Sequence, residues 1–183
     1  MSLTLPSPVA TSTGAAGGDL PRLRRTGPTR LHHLARQLSE RPDLWRPHVR
    51  FAHESRWSVR IAVTGEYEAW LLTWLPGQST GLHDHGGSAG AFAVLEGAVE
   101  ESTLAPSHSP RLVRPAALVH RALPAGRIRA FGPDYVHDVT NTGRVPAVSL
   151  HVYAPALDTM RRFVLDDRGH PRVVAREFAG SDW

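Results

Sequence analysis

Hydrophobic and polar positions change rhythm once along this chain. Between Thr29 and Ser39, Leu31, Leu34, Ala35 and Leu38 recur at three- and four-residue intervals. That spacing predicts one amphipathic helix, which Arg41-Pro42 ends. A second short helical piece is expected around Asp43-Leu44-Trp45. Beyond it the apolar runs shorten. Trp57 to Val63, Glu66 to Leu75, Gly90 to Leu95, Val99 to Leu104, Arg127 to Phe131, Val136 to Val139 and Ala147 to Tyr153 all read as short strands. Glycines, prolines and the turn Asn141-Thr142-Gly143 separate them. The tail from Asp158 adds a strand or two around Val164 and Val173-Val174. Many short strands without interleaved helices predict an all-β, antiparallel sandwich or barrel, with one or two short helices at the N-terminal side.

Length and composition narrow the picture. A chain of 183 residues with 41 % hydrophobic positions suits one domain, placed at residues 28–183. Residues 1–27 are rich in Ser, Thr, Pro, Ala and Gly and are expected to form a disordered leader. The leader has no apolar stretch of signal-peptide or membrane-span length, so a cytoplasmic protein with no membrane partner is expected. The net charge is +4, and all 21 basic residues are arginine. These arginines are scattered among acids, so no nucleic-acid partner is expected. The absence of cysteine excludes disulfides, zinc–thiolate sites and a cysteine nucleophile.

The candidate chemistry lies in histidines. His83 and His85 are two residues apart after a strand-like run, so on a strand both imidazoles would face one point, with Asp84 turned away. His137 lies in a second strand-like run and is a candidate third ligand; His151, also on a strand, is its rival. A lone His-X-His on a strand is more often structural than metal-binding. Three imidazoles would suit zinc, copper, iron or nickel alike. His32, His33, His48, His53, His108, His120 and His170 fall in helical, loop or turn contexts and are expected to be solvated.

Two frames raise the specificity. Gly77, then His83-X-His85 after five residues, then Gly97 twelve residues later resembles the first signature of the cupin superfamily. His137 followed by Asn141 resembles the end of the second. The resemblance implies a cupin β-barrel, an antiparallel double-sheet jelly roll with a metal in its mouth, and favours His137 over His151 as the third ligand. Where many cupins carry a glutamate ligand, this chain has Gly90. Three histidines without a carboxylate are therefore expected.

Within that superfamily the chain resembles the thiol dioxygenases, in particular bacterial cysteine dioxygenase. Four stretches carry the likeness: Trp74 to Gly97, His137 to Asn141, Pro146 to Pro155, and Arg60 on the preceding strand. The resemblance implies that His83, His85 and His137 hold mononuclear Fe(II). It also implies that both atoms of O2 are added to the thiolate of L-cysteine, giving cysteine sulfinic acid. Ser149, His151 and Tyr153 are spaced to share one strand face and look like the family's Ser-His-Tyr relay. Arg60 matches an arginine that forms a fork with the substrate carboxylate. Trp74 also matches a family position and is read as packing. Animal members crosslink the relay tyrosine to a nearby cysteine; here Gly90 occupies the matching position, so Tyr153 works uncrosslinked. The expected partners are L-cysteine and O2, and the expected state is a monomer. Two alternatives stand beside this reading: dioxygenation of another small thiol such as 3-mercaptopropionate, and a non-catalytic metal-binding cupin.

Overall fold

A computed structural model describes residues 10–11, 20–23, 27–104 and 118–179. Its elements run β1 (Ala10–Thr11), α1 (Pro28–Ser39), α2 (Pro42–Trp45), β2 (Ser58–Val63), β3 (Glu68–Trp74), β4 (Ala89–Glu96) and β5 (Ala98–Leu104). They continue with β6 (Leu118–Pro124), β7 (Ile128–Phe131), β8 (His137–Thr140), β9 (Ala147–Ala154), β10 (Thr159–Leu165) and β11 (Pro171–Phe178). One sheet has the order β1-β2-β3-β9-β4-β7. The other is built from β6-β5-β8 and the hairpin β10-β11. The segment around His83 joins these two parts, because His83 bridges to both His137 and Arg162. The result is the cupin double-sheet jelly roll that the strand pattern and signatures predicted.

Burial explains the strongest strands. Every residue of β3 and of β9 is buried, because each face of the large sheet is covered. On β9, Val148, Leu150 and Val152 pack into one core cluster with Leu31, Leu34, Ala35 and Leu38 of α1. The alternate positions Ala147 and Tyr153 belong to the second cluster, between the sheets, with Trp74, Phe92 and Val139. Period two along the strand thus assigns hydrocarbon to the helix side and Ser149, His151 and Tyr153 to the barrel interior. Each large apolar side chain fully buried this way contributes roughly 1.5–3 kcal/mol.

The structure departs from the sequence reading at one strand and adds detail at the tail and before residue 28. The strand β6 was not expected, and His120 lies on it rather than in a loop. Five of its seven residues are at least partly exposed in a row before Leu123, so the run has no clean apolar alternation. The tail forms a regular hairpin, Thr159↔Phe178 to Leu165↔Pro171, with a bulge at Arg162/Phe163. Finally, packing begins before residue 28: Leu23 is 7 % exposed within the α1 cluster, and Ala10–Thr11 pair in parallel with Val59–Arg60. The rest of the expected leader, residues 1–9, 12–19 and 24–26, lies outside the described residues, as does His108. No helix among the described residues is long and apolar enough to cross a membrane.

Candidate metal centre and its cavity

Backbone register brings the histidines together. His83 and His137 are direct antiparallel partners, exchanging N–H···O=C bonds of 2.9 and 3.0 Å. A directly opposed pair puts its side chains side by side on one face. His85 follows beyond the bridge, outside any regular strand, where the turn at Gly86 and Gly87 begins. Gly86 has φ 57°, and a Cβ there would run into the backbone of Thr159. The tight turn thus carries His85 back over the strand face. The i, i+2 convergence predicted for a strand is achieved by one bridged residue and a turn.

The three rings form a near-equilateral group, with centroids 5.0 Å (His83–His85), 4.8 Å (His83–His137) and 5.1 Å (His85–His137) apart. One nitrogen from each lies within 4.8 Å of the others. All three residues are buried, and His85 is 0 % exposed. His83 Nδ1 meets the carbonyl of Gly81 at 2.9 Å. A carbonyl only accepts, so Nδ1 carries the hydrogen and Nε2 keeps its lone pair. His137 Nδ1 meets Glu101 Oε1 at 3.1 Å, with the same result. Both ring nitrogens of His85 are buried without a hydrogen-bond partner. Burial, then the neighbouring imidazoles and Arg162, hold His83 and His85 well below the ordinary imidazole range. Buried, converging nitrogens, two of them on rings held neutral and one ring orphaned, are the donor set of a metal. Among the described residues the group contains no carboxylate.

Glu101 was missed by sequence reasoning. It is 0 % exposed and accepts from Arg129 Nε at 2.9 Å and Tyr135 Oη at 3.0 Å besides His137. Burial alone would raise its pKa, but His137 and Arg129 outweigh that and hold it below the usual carboxylate range. A usable signal was present: Glu101 has the same strand parity as the apolar Val99.

On β9 a second chain of polar contacts crosses the interior. Trp74 Nε1 donates to Ser149 Oγ at 2.9 Å, Ser149 Oγ meets His151 Nε2 at 2.8 Å, and His151 Nδ1 meets Tyr153 Oη at 3.3 Å. Trp74, expected only to pack, therefore also anchors Ser149. Both nitrogens of His151 are engaged here, and the metal-type group comprises His137 instead. Burial keeps His151 neutral and, with Glu68, raises Tyr153 so that it stays a phenol. Gly90 pairs with Tyr153 on one side and with Phe131 on the other. A Cβ on Gly90 would lie 2.5 Å from Phe131 Cζ and 3.1 Å from Tyr153 Cδ1.

His83, His137, His151 and Tyr153 line one cavity of about 730 Å³. Arg56 and Arg162 line it too, and Arg60 does not. The Arg60 guanidinium instead pairs with the buried carboxylate of Glu68 at 3.4 Å and lies over Trp70. Arg162 forks onto Glu177 with two contacts of 2.8 Å. Asp84, turned away from the histidines as expected, is buried against Arg161.

Fold and site together define a three-histidine metal-binding cupin. The chain belongs to the cysteine dioxygenase type I family, whose model matches residues 29–166. It is 31 % identical to human cysteine dioxygenase type 1 over 118 residues, covering 62 % of this chain and 57 % of that protein. The bovine protein of that name is 30 % identical over the same length. The match thus spans little more than half of these relatives. In fold, the chain is similar to a double-stranded β-helix protein from Klebsiella pneumoniae, with TM-score 0.50 and 22 % identity over 60 % of this chain and 85 % of that one.

Proposed function

We propose that this protein is a thiol dioxygenase that holds Fe(II) at His83, His85 and His137 and converts L-cysteine to cysteine sulfinic acid with O2. The observation that carries the reading is a buried trio of converging imidazoles with an orphaned member, His85, of which His83 and His137 open on a cavity that His151 and Tyr153 of β9 also line. Iron bound by three neutral ligands keeps its full charge, which favours a thiolate over a thiol and supplies the redox chemistry of O2.

The chain's own residues divide the remaining work. Gly81 and Glu101 fix which nitrogen His83 and His137 offer. Trp74 donates to Ser149; in the His151 tautomer that carries its hydrogen on Nδ1, Ser149 donates to Nε2 and Nδ1–H donates to the Tyr153 oxygen. That proton order leaves the phenol hydrogen free to be donated into the cavity. Burial keeps Tyr153 protonated, so its role is to donate a hydrogen bond to the reacting thiol acid. Holding substrate and O2 together in one enclosed site supplies much of the remaining acceleration. The enzyme is taken to act as a monomer in the cytoplasm.

Arg60 is bound to Glu68, so its occupancy gives no ground for preferring cysteine over 3-mercaptopropionate. Oxygen uptake by the anaerobically Fe(II)-loaded protein, with both thiols offered in parallel, tests the reading. Uptake with a product that has gained two oxygen atoms is expected, faster with L-cysteine. No uptake by iron-loaded protein would favour a non-catalytic cupin, and faster uptake with 3-mercaptopropionate would reassign the substrate.

A further inference from the structure

We propose that Arg56, rather than Arg60, holds the carboxylate of the substrate; this rests on the thiol-dioxygenase reading above. Three arginines compete for the role, and two are already committed. Arg60 neutralises Glu68, which is 1 % exposed and whose other oxygen takes the Leu157 N–H at 2.9 Å. Moving Arg60 to a substrate would strand a buried carboxylate with one neutral partner, a costly exchange. Arg162 is held on three sides, by both oxygens of Glu177 and by the Thr80 carbonyl at 2.7 Å.

Arg56 is in the opposite state. It lines the cavity beside His151 and Tyr153. Its Nε is buried without a partner, and among the described residues its one hydrogen bond is a long 3.4 Å contact from Nη1 to the Ser79 carbonyl. No carboxylate among the described residues forms an ion pair with it; Glu177 is taken by Arg162, and Asp138 by the hydroxyls of Ser79 and Thr80. Burial, then the nearby charge of Arg162, lowers its pKa to about 10. A cavity-lining guanidinium whose Nε is buried, with open donors and no paired anion among the described residues, is an incomplete pair.

Its position is nevertheless fixed. The guanidinium carbon lies 5.1 Å from the Trp74 ring centre, and Trp74 is itself tied to Ser149. Stacking holds the planar fork while leaving its edge donors free. A small thiol acid would therefore lie with sulfur toward the three histidines and carboxylate toward Arg56, with Tyr153 between the two requirements.

Binding can be followed without turnover. Cobalt(II)-loaded protein under argon is titrated with L-cysteine and with cysteamine, which lacks only the carboxylate, reading the thiolate-to-cobalt charge-transfer band. Wild type should bind L-cysteine more tightly. Arg56→Gln should weaken L-cysteine about tenfold to a hundredfold, the scale of a charge-assisted hydrogen bond, and leave cysteamine and cobalt content nearly unchanged. Arg56→Lys, which keeps the charge without the fork, should fall between. Equal weakening of both thiols by Arg56→Gln would overturn the assignment. So would loss of the cysteine advantage in Arg60→Gln while Arg56→Gln retains it; the thiol reading would then survive. A wild-type protein that holds cobalt yet gives no thiolate band with either thiol would overturn both.

Discussion

The histidine trio and the polar residues of β9 are buried to the same degree, but their hydrogen-bond states are opposite. Across β3 and β9 each group faces another: Trp74 of β3 and Ser149, His151 and Tyr153 of β9 form a continuous series of contacts between 2.8 and 3.3 Å. In the trio, outer nitrogens are engaged where a partner exists, and the inner ones have none; His85 has none at either nitrogen. Burying polar groups unpaired costs free energy, so an interior that satisfies one cluster and leaves the next open marks where a ligand completes the structure. A closed chain orients, and an open trio binds.

That contrast can be broken most severely by His137→Ala. Two remaining ligands should retain almost no iron after desalting, a larger loss than the roughly 10–100-fold that removing an outer hydrogen-bond partner costs. Full iron content in that variant would hand the third ligand position to His151. Tyr153→Phe attacks the other cluster. It should lower kcat about a hundredfold while iron content stays at the wild-type value, since the phenol donates but does not ligate. An unaltered kcat would remove Tyr153 from the chemistry.

Smaller changes sharpen the same division. Glu101→Gln keeps an acceptor for His137 Nδ1 but removes the charge that Arg129 and Tyr135 surround. Metal affinity should fall about tenfold in a competition titration, with thiol selectivity unchanged. Acid supplies the mildest probe. His83, His85 and His151 are held below the ordinary imidazole value of about 6.5 by burial, so between their folded values and pH 6.5 the unfolded chain binds protons that the native chain does not. Stability of the metal-free protein is then full above about pH 6.5 and falls as the pH drops, by up to about 1.4 kcal/mol per pH unit for each histidine. Thermal unfolding midpoints that do not move between pH 7.5 and pH 5.5 would contradict neutral burial of these rings.

Much of this was legible in the residue order. The strands with buried faces, β3, β4 and β9, carry their signal in apolar runs, and α1 in its stripe. β6 does not, because a mostly exposed strand has little apolar patterning to show. His83 and His85 were readable because their spacing is local and framed by glycines, and His137 because Asn141 follows it in the second signature. Glu101 was read past, since its one local signal, the strand parity of Val99, is outweighed by its likeness to a solvated pair with Glu100 until its partners from β7 and β8 are in place. Arg60 illustrates the same limit from the other side. It has the strand parity of Ser58, which lines the cavity, and register brings it opposite Trp70. What diverts it is Glu68, eight residues away in sequence and buried by tertiary packing.

Gly90 has a consequence for how this molecule can change. The space beside it is filled by the Phe131 ring, which also stacks on His85 at 4.7 Å and on Tyr135 at 4.9 Å. A side chain placed at Gly90 would meet that ring at 2.5 Å and the Tyr153 ring at 3.1 Å, so Phe131 would have to move. Any such movement loosens the wall behind His85, a metal-type ligand. The ring that walls in the metal-type ligand therefore also fixes what position 90 can hold, so the two places cannot change independently of each other.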